Sequence, residues 1–474
     1  MSRERSPGAK LLLAGLAAAV LIVPLMLVYL LVWDRESQSQ QAQRQITEGW
    51  GAEQTFTGPV LVIPYADEIV ETETVDGNRQ ERRREVRREL FVSPTEQEVN
   101  TTIDPDRKGY AIYESVVYES KVSGEARFAI GDDLERLDVA IESLSMDEAE
   151  LRFGVSDPGG LTDGARVRVG GEAVELTPGN GPVATGGSGF SAPVAWDGTG
   201  TLAVQWEYGL RGARALSFVP RGGDTSWRVT SAWPHPSFTG GALPNEREVS
   251  DEGFTATYSG ITNLALGQRL ITIGDLGITR GEAMVEQAQY DPAMPPPPPP
   301  PAARGQGAQP LNIALVDPVD LYSQVDRAVK YGFLFIGFTF AAFLMFDVVG
   351  GARVATAEYL LTGAGLVLFF VMLLAFAEVI GFALAYIIAA GAVIGLLTAY
   401  SAAVLGTWRR AGFVGAMLAS LYALLFVLLS LETWSLVIGS LLLFAALAGI
   451  MYGTRNVDWS AVRRSAEDEP GYAA

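Results

Sequence analysis

Five long apolar segments dominate the C-terminal part of the chain. Each contains about 20 residues or more, and a helix that rises about 1.5 Å per residue needs roughly 20 apolar residues to cross a hydrocarbon layer about 30 Å thick. Helices of water-soluble proteins are apolar along one stripe only, whereas these segments are apolar on every side. The sequence therefore predicts an integral membrane protein. The segments are residues 331–350, 357–377, 380–406, 413–431 and 434–452.

A sixth apolar segment lies near the N-terminus, where residues 11–32 form a run of 22 residues. Three basic residues and a single Glu precede this run, as in a secretory signal. The run is longer than the apolar region of such signals, and Trp33 and the charged residues 34–36 follow it in place of a small-residue cleavage site. We therefore predict an uncleaved signal anchor, which brings the expected number of transmembrane helices to six.

The distribution of Lys and Arg predicts the orientation of these helices, because cytoplasmic loops carry the excess of basic residues. The short turns around Glu378 and Glu432 contain no Lys or Arg, and only Arg327 and Lys330 lie near the predicted outer end of a helix. We therefore expect both termini in the cytoplasm and residues 33–330 outside, in the bacterial periplasm. The basic residues at the predicted inner ends are Arg3, Arg5, Lys10, Arg353, Arg409, Arg410, Arg455, Arg463 and Arg464.

The composition of the large loop, residues 33–330, changes along its length. Residues 34–50 are helix formers without Pro, whereas residues from Gly58 onward form short β-rich runs separated by Gly, Pro, Asp and Asn. This spacing is typical of an antiparallel sandwich or an open barrel. We therefore expect a mainly-β domain, and few stretches that would suit the helices of a parallel α/β fold.

Seven consecutive prolines at 295–301 predict an extended polyproline spacer that cannot join a core. The predicted fold class is therefore an integral membrane protein with one N-terminal anchor, a five-helix C-terminal bundle and a large mainly-β periplasmic domain. The predicted boundaries are 1–10 (cytoplasmic N-terminus), 11–32 (anchor), 33–57 (juxtamembrane helix), 58–290 (β domain), 291–316 (Pro-rich linker), 317–330 (membrane re-entry segment), 331–453 (five-helix block) and 454–474 (cytoplasmic tail).

Composition excludes several classes of function. The formal net charge of −19 falls within residues 33–330, and such an acidic domain repels polyphosphates, which argues against nucleic acid as a partner. The chain has no Cys, which excludes disulfides, thiolate metal sites and a Cys nucleophile. It has one His, which excludes a metal site built from several imidazoles. We expect no cofactor and no metal.

Motif searches find no catalytic centre. A phosphate-binding loop, a zinc-protease motif and a G-x-S-x-G elbow are all missing from the sequence. Residues 179–184 fit a loose dinucleotide-binding pattern, but no strand–helix context surrounds them. A Ser-His-Asp triad would have to use His235, which lies between two prolines, and we interpret it as a turn residue. A periplasmic hydrolase centred on His235 stays open as a third hypothesis.

Charged residues avoid the middle of the five C-terminal segments. Glu378 and Glu432 fall at the predicted outer helix ends, and Asp347 and Glu358 flank a predicted inner turn, where a local ion pair with Arg353 would explain them. Ion-coupled transporters usually carry a charge near the bilayer centre. Small-residue pairs suit close helix packing instead. They are Gly391/Gly395, Gly415/Ala419 and Ala445/Gly449.

Four sequence blocks resemble the CreD family of bacterial inner-membrane proteins, and together they extend over essentially the whole chain. The blocks are residues 58–65 (GPVLVIPY), 235–254, 316–347 and 430–459. The resemblance implies a role in envelope integrity, colicin tolerance and stress response, without an established enzymatic activity. This chain departs from the family pattern in having no His at residues 355–358 or after Glu378, so His-based chemistry in the membrane is not expected.

Our leading hypothesis is a non-enzymatic inner-membrane protein that supports envelope integrity through its periplasmic domain. Its expected partners are the lipid bilayer and an unidentified periplasmic or envelope component. The alternative is a transporter or lipid-handling protein with a cavity in the bundle near Glu378, Tyr386 and Glu432. The candidate functional residues are His235, Arg327, Lys330, Glu378 and Glu432.

Overall fold

The computed structural model describes residues 7–455 except 76–77, 111–112, 132, 163, 279–306, 317–320, 349–353 and 431–434. The chain divides into two compact units, each described by itself below. The helical unit comprises Met1–Gln41 and Val319–Ala474, and the β unit comprises Ala42–Pro318. The predicted spacer at 295–301 and the candidate residue Glu432 lie outside the described residues.

The described helices include six long or medium helices and three shorter ones. Their bounds are α1 (Pro7–Trp50), α2 (Asp133–Arg136), α3 (Asn263–Leu266), α4 (Leu321–Lys330), α5 (Gly332–Val348), α6 (Thr356–Ile380), α7 (Phe382–Leu405), α8 (Trp408–Ser430) and α9 (Ser435–Thr454). Helices α2 and α3 are single turns within the β unit, and four short 3₁₀ turns accompany them.

Helix α1 runs without interruption for 44 residues, through Pro24. It therefore merges the predicted anchor at 11–32 with most of the predicted juxtamembrane helix at 33–57. The helix ends at Trp50 because Gly51, with φ +149°, turns the chain, and strand pairing begins at Gln54. At about 1.5 Å per residue, α1 is about twice as long as a hydrocarbon layer is thick.

Five described helical segments are long and apolar enough to cross a membrane: Lys10–Trp50, Leu321–Asp347, Thr356–Ile380, Phe382–Leu405 and Trp408–Leu429. They match the predicted anchor and four of the five predicted C-terminal segments. Helix α9 covers the remaining segment, and its crossing of the membrane stays a prediction. The predicted re-entry segment at 317–330 contains amphipathic α4, which a break at Tyr331 separates from α5.

The β unit contains two large sheets and one small parallel pair. The strands are β1 (Gln54–Val75), β2 (Asn78–Val92), β3 (Glu96–Tyr110), β4 (Tyr113–Phe128), β5 (Glu150–Val155), β6 (Arg166–Val169), β7 (Glu172–Val174), β8 (Thr177–Pro178), β9 (Gly189–Pro193), β10 (Leu202–Ala213), β11 (Ala215–Val219), β12 (Asp224–Ser231), β13 (Pro236–Gly240), β14 (Glu246–Ser250), β15 (Gly253–Thr262), β16 (Ile271–Thr272), β17 (Gly277–Ile278), β18 (Gly307–Ala308) and β19 (Leu311–Leu315).

The first sheet has the order β13-β19-β11-β1-β5-β9-β8, with β2 added to β1 and β16 to β2. The second sheet has the order β14-β15-β12-β3-β4-β10-β6-β7. All described pairs in these two sheets are antiparallel except β1 with β11 and β3 with β12. Both sheets contribute to one hydrophobic core, in which Phe56 and Phe218 of the first sheet contact Trp227 of the second. The mainly-β prediction is confirmed, and its architecture is a sandwich.

Strand β19 corrects the predicted linker. It lies between β11 and β13, and its residues Leu311, Ile313 and Leu315 are buried in the core. The prediction of a spacer at 291–316 is therefore wrong for residues 311–315. A strand of five residues with alternating apolar side chains gives a weak sequence signal, and the nearby proline-rich tract favours interpreting the whole region as a linker.

Candidate functional site

The first candidate site is a polar cluster at one end of the helical unit, which we call the Glu378 cluster. It comprises Glu378 in the last two turns of α6, Arg35 of α1 and Tyr322 of α4. The Tyr322 hydroxyl donates to Glu378 Oε1 at 3.2 Å, and Arg35 Nε lies 3.9 Å from the same oxygen. The Glu378 side chain is only 12% exposed. The candidate glutamate therefore joins three helices that are distant in sequence.

A buried ion pair joins α1 to α5. Lys10 Nζ lies 2.8 Å from Asp347 Oδ1 and also donates to the Asp347 carbonyl at 3.3 Å. The Asp347 side chain is 3% exposed and the Lys10 side chain 25%. The expected local pairing with Arg353 falls outside the described residues, and the described partner of Asp347 comes from the N-terminal helix α1. Glu358 instead accepts from the Ala355 amide at 2.7 Å and caps α6.

An apolar stripe on α1 fills the interval between these two polar contacts. Its buried residues are Ala14, Ala17, Leu21, Val28 and Val32, which recur at the three- and four-residue spacing of one helix face. Gly363 of α6 allows a close approach, because a Cβ there would lie 1.9 Å from Leu21 Cδ1. The N-terminal helix is therefore a packed member of the bundle, as well as an anchor.

This close approach yields a first prediction. Replacing Gly363 by Val places branched carbon atoms where Leu21 packs, and we expect a loss of about 1–3 kcal/mol in unfolding free energy. Thermal unfolding of the full chain in detergent micelles measures the change. Adding Leu21→Ala should recover most of the lost unfolding free energy. The control Gly391→Val, at a site with no atom within 4 Å of an added Cβ, should change the unfolding free energy little. Equal losses for both Val variants would contradict the packing.

The end of α1 is clamped within the β unit. Trp50 Nε1 donates to the Tyr118 carbonyl at 3.3 Å. Lys108 Nζ and Arg211 Cζ each lie 4.9 Å from the centroid of the Trp50 ring, a distance suited to cation–π attraction. We call Trp50, Lys108 and Arg211 the Trp50 clamp.

Ion pairs and buried polar groups support the Trp50 clamp. Lys108 lies 2.6 Å from Asp106, and its hydrogen bond holds the pKa of that exposed carboxyl below the ordinary value. Arg211 lies 3.1 Å from Glu119. The Tyr118 hydroxyl donates to the Ala215 carbonyl at 2.8 Å, and burial raises the pKa of Tyr118. These contacts fix the last turn of α1 against strands β3, β4 and β10.

A polar cleft of about 450 Å³ lies on the outer face of the second sheet. Cross-strand register aligns Glu98, Glu125, Gln205 and Arg168 in one row across four strands. Both signs of charge are present in the cleft, which suits a polar partner and gives no preference for one charge. Sequence reasoning missed this surface because it depends on the register of strands that are distant in sequence.

The remaining candidates lie apart from one another. His235 is exposed; its carbonyl accepts from the Val316 amide at 3.2 Å, and its imidazole has no hydrogen bond to any described residue. Arg327 Nε donates to the Ser323 carbonyl at 3.4 Å. Lys330 lies 2.6 Å from Asp326, one turn earlier in α4. These residues do not form a common site.

Tyr386, named with the glutamates in the transporter hypothesis, is buried and donates to the Tyr422 carbonyl of α8 at 2.7 Å. Its ring contacts are with Phe369, Phe382, Tyr422 and Phe426, and its described hydrogen bond goes to Tyr422 rather than to Glu378. Among the described residues, no group of three or more acidic or His side chains could hold a metal ion.

A family match and a curated relative agree over almost the full length of the chain. The family described as Inner membrane protein CreD matches residues 6–460. The Inner membrane protein CreD of Escherichia coli K12 is 30% identical over 453 residues, which cover 94% of this chain and 92% of that relative. A solved structure from Parabacteroides distasonis ATCC 8503 is 11% identical over 54% of this chain and 47% of its own, with a TM-score of 0.22, too low to inform fold or activity. The chain belongs to the CreD family of inner membrane proteins.

Proposed function

We propose that this protein supports the integrity of the cell envelope without catalysing a reaction, and that its β unit acts in the periplasm. The observation that carries the proposal is the double attachment of α1. Within the helical unit, Lys10 and Arg35 bind carboxylates of α5 and α6. Within the β unit, Lys108 and Arg211 each lie 4.9 Å from the centroid of the Trp50 ring. One continuous helix is thus an integral part of both units.

The position of β19, shortly before the chain enters the helical unit for the second time, supports the same proposal. A β unit that served only as a tethered accessory would be expected to have flexible connections on both sides. Instead, β19 lies inside the first sheet only a few residues before α4 begins. The chain is thus part of the first sheet up to Leu315, which supports a β unit that acts together with the membrane helices.

The arrangement of polar residues favours a binding role over catalysis. His235 has neither a carboxylate nor a hydroxyl partner among the described residues, so the geometry of a hydrolytic triad is not assembled around it. The cleft on the second sheet offers carboxylate, amide and guanidinium groups across four strands. These are suitable groups for holding a polar envelope component. The distribution of Lys and Arg supports cytoplasmic termini and a periplasmic β unit.

A deletion tests this proposal. Removing residues 54–316 while keeping α1 and α4–α9 deletes the whole sandwich, including β19. We expect the shortened protein to reach the membrane at normal abundance and to lose all complementation of an envelope-stress phenotype in a strain lacking the chromosomal copy. Abundance in isolated membranes is the control. Full complementation would overturn the proposal.

That outcome would favour the alternative of a transporter or lipid-handling protein acting through the bundle. The observation on its side is the partial burial of Glu378 among three helices. A Glu378→Gln, Glu432→Gln double variant should then abolish activity at normal membrane abundance. Normal function of this variant would argue against the alternative.

A further inference from the structure

Six buried hydroxyl groups in the helical unit have no hydrogen-bond partner among the described residues, and three of them lie on Ser or Thr side chains that are at most 1% exposed. These three belong to Thr339 of α5, Thr362 of α6 and Ser401 of α7, and each side chain is almost completely inaccessible. We call these three residues the hydroxyl layer. In helix interfaces within membranes, such groups usually bridge to a neighbouring helix. Buried polar groups without partners are rare in native proteins and need an explanation.

The helix contacts place all three hydroxyl groups at one level of the bundle. Phe335 of α5 contacts Phe370, and Phe343 contacts Tyr359, so α5 and α6 run antiparallel. This register brings Thr339 opposite residues 364–365, within one helical turn of Thr362.

Helices α6 and α7 are also antiparallel neighbours. A Cβ at Gly365 would lie 2.9 Å from Leu397, and one turn further along the pair Thr362 faces residues 400–401. Helices α5 and α7 both pack on α6, so each of the three helices contributes one unpaired hydroxyl group at about the same level of the bundle.

The layer continues toward the buried ion pair. Thr339, Phe343 and Asp347 lie at four-residue intervals on one face of α5, and Asp347 binds Lys10. Tyr359, one turn from Thr362 on α6, also has an unpartnered hydroxyl. A dry, purely structural interface would be more stable with apolar residues at these positions, since an unmade hydrogen bond leaves the cost of removing the group from water.

We propose that the hydroxyl layer is a binding site for neutral hydrogen-bonding solutes, of which water is the smallest, and that it fills when α5, α6 and α7 separate. The layer carries no charged side chain, so it suits uncharged polar groups rather than ions. In the packed arrangement described above, the hydroxyl groups are closed off and lack partners. When the three helices separate, water or another neutral solute supplies the missing hydrogen-bond partners. This inference concerns the bundle and does not depend on the role of the β unit.

Accessibility to a water-borne thiol reagent tests the proposal. The chain contains no Cys, so Ser401→Cys creates the only thiol in the full-length protein. Thiolate formation requires water, and 2-aminoethyl methanethiosulfonate reports it in membrane vesicles. The matched control is Val393→Cys, also buried on α7. We expect labelling at position 401 to be at least about tenfold faster. Equal or absent labelling at both positions would overturn the proposal.

A second pair of substitutions separates opening from local damage. Thr339→Val and Thr362→Val preserve side-chain shape but remove two hydroxyl groups, which favours the packed state. In the Ser401→Cys background we expect slower labelling and a higher melting temperature. A lower melting temperature would mean that the hydroxyl groups already form bonds in the packed state, which contradicts the inference. If Ser401→Cys does not accumulate, Thr362→Cys provides the same measurement from α6.

Discussion

Replacing Lys10 by Met is expected to destabilise the helical unit by about 3–5 kcal/mol, because it removes the described cation partner of the buried Asp347 carboxylate. The Asp347 side chain is 3% exposed, and Lys10 Nζ donates to its Oδ1 as well as to the backbone carbonyl of Asp347. Thermal unfolding of the full chain in detergent micelles measures the loss. The effect should be much smaller in the Lys10→Met, Asp347→Leu double variant, since a buried ion pair can often be exchanged for apolar residues at little cost.

Lys330 provides the matched control for this experiment. It also pairs with an aspartate, Asp326, at 2.6 Å, but its side chain is 58% exposed. An exposed pair contributes at most about 1 kcal/mol, so Lys330→Met should hardly change the melting temperature. If Lys10→Met is as mild as Lys330→Met, the buried pair does not hold α1 in the bundle.

The second large effect is expected in the β unit, where Ile313→Asp should prevent folding. Ile313 is fully buried in β19 and pairs with Leu216 on one side and Phe238 on the other. A carboxylate there has no cation partner in an apolar core, and the cost of burying it exceeds the few kcal/mol by which a typical domain is stable. Limited proteolysis of isolated membranes should show rapid cleavage throughout residues 42–318.

Asn312 supplies the comparison for Ile313, since it is the neighbouring residue on the opposite face of the strand. Its side chain bonds to Ser217 and Thr239 at the surface of the sheet, so Asn312→Asp should leave the protease-resistant domain intact. Resistance of the Ile313→Asp variant would restore the original expectation that residues 311–315 are part of a linker.

Hydropathy predicted the helical elements well because the bilayer imposes both length and apolarity on every crossing segment. The role of α1 as a bundle helix was missed for the same reason. In a run that is apolar on all sides, the stripe containing Ala17 and Leu21 cannot be distinguished from the residues around it. Lys10 was interpreted only as an orientation signal, and its partner Asp347 lies 337 residues away.

The candidate residues were predicted with uneven success. Glu378 was identified from its position at a helix end, but its partners Arg35 and Tyr322 depend on how three helices meet. Of the predicted small-residue pairs, Gly415 lies against Thr398, whereas Gly391 and Gly395 have open space around them. A spacing of four residues shows that two positions share a helix face, but it does not show which face is packed.

The position of β19 also determines the order in which the first sheet can be completed during synthesis. Strands β11 and β13 are made early, yet the strand that separates them begins at Leu311, 71 residues after Gly240. At about 5–20 residues per second, both strand edges stay open for roughly 4–14 s. Open edges can pair with other chains. The first long apolar helix after β19 is α5, which is complete at Val348, 33 residues after Leu315. Its synthesis therefore ends about 2–7 s after that of β19, so closure of the sheet and insertion of this helix fall in the same short interval.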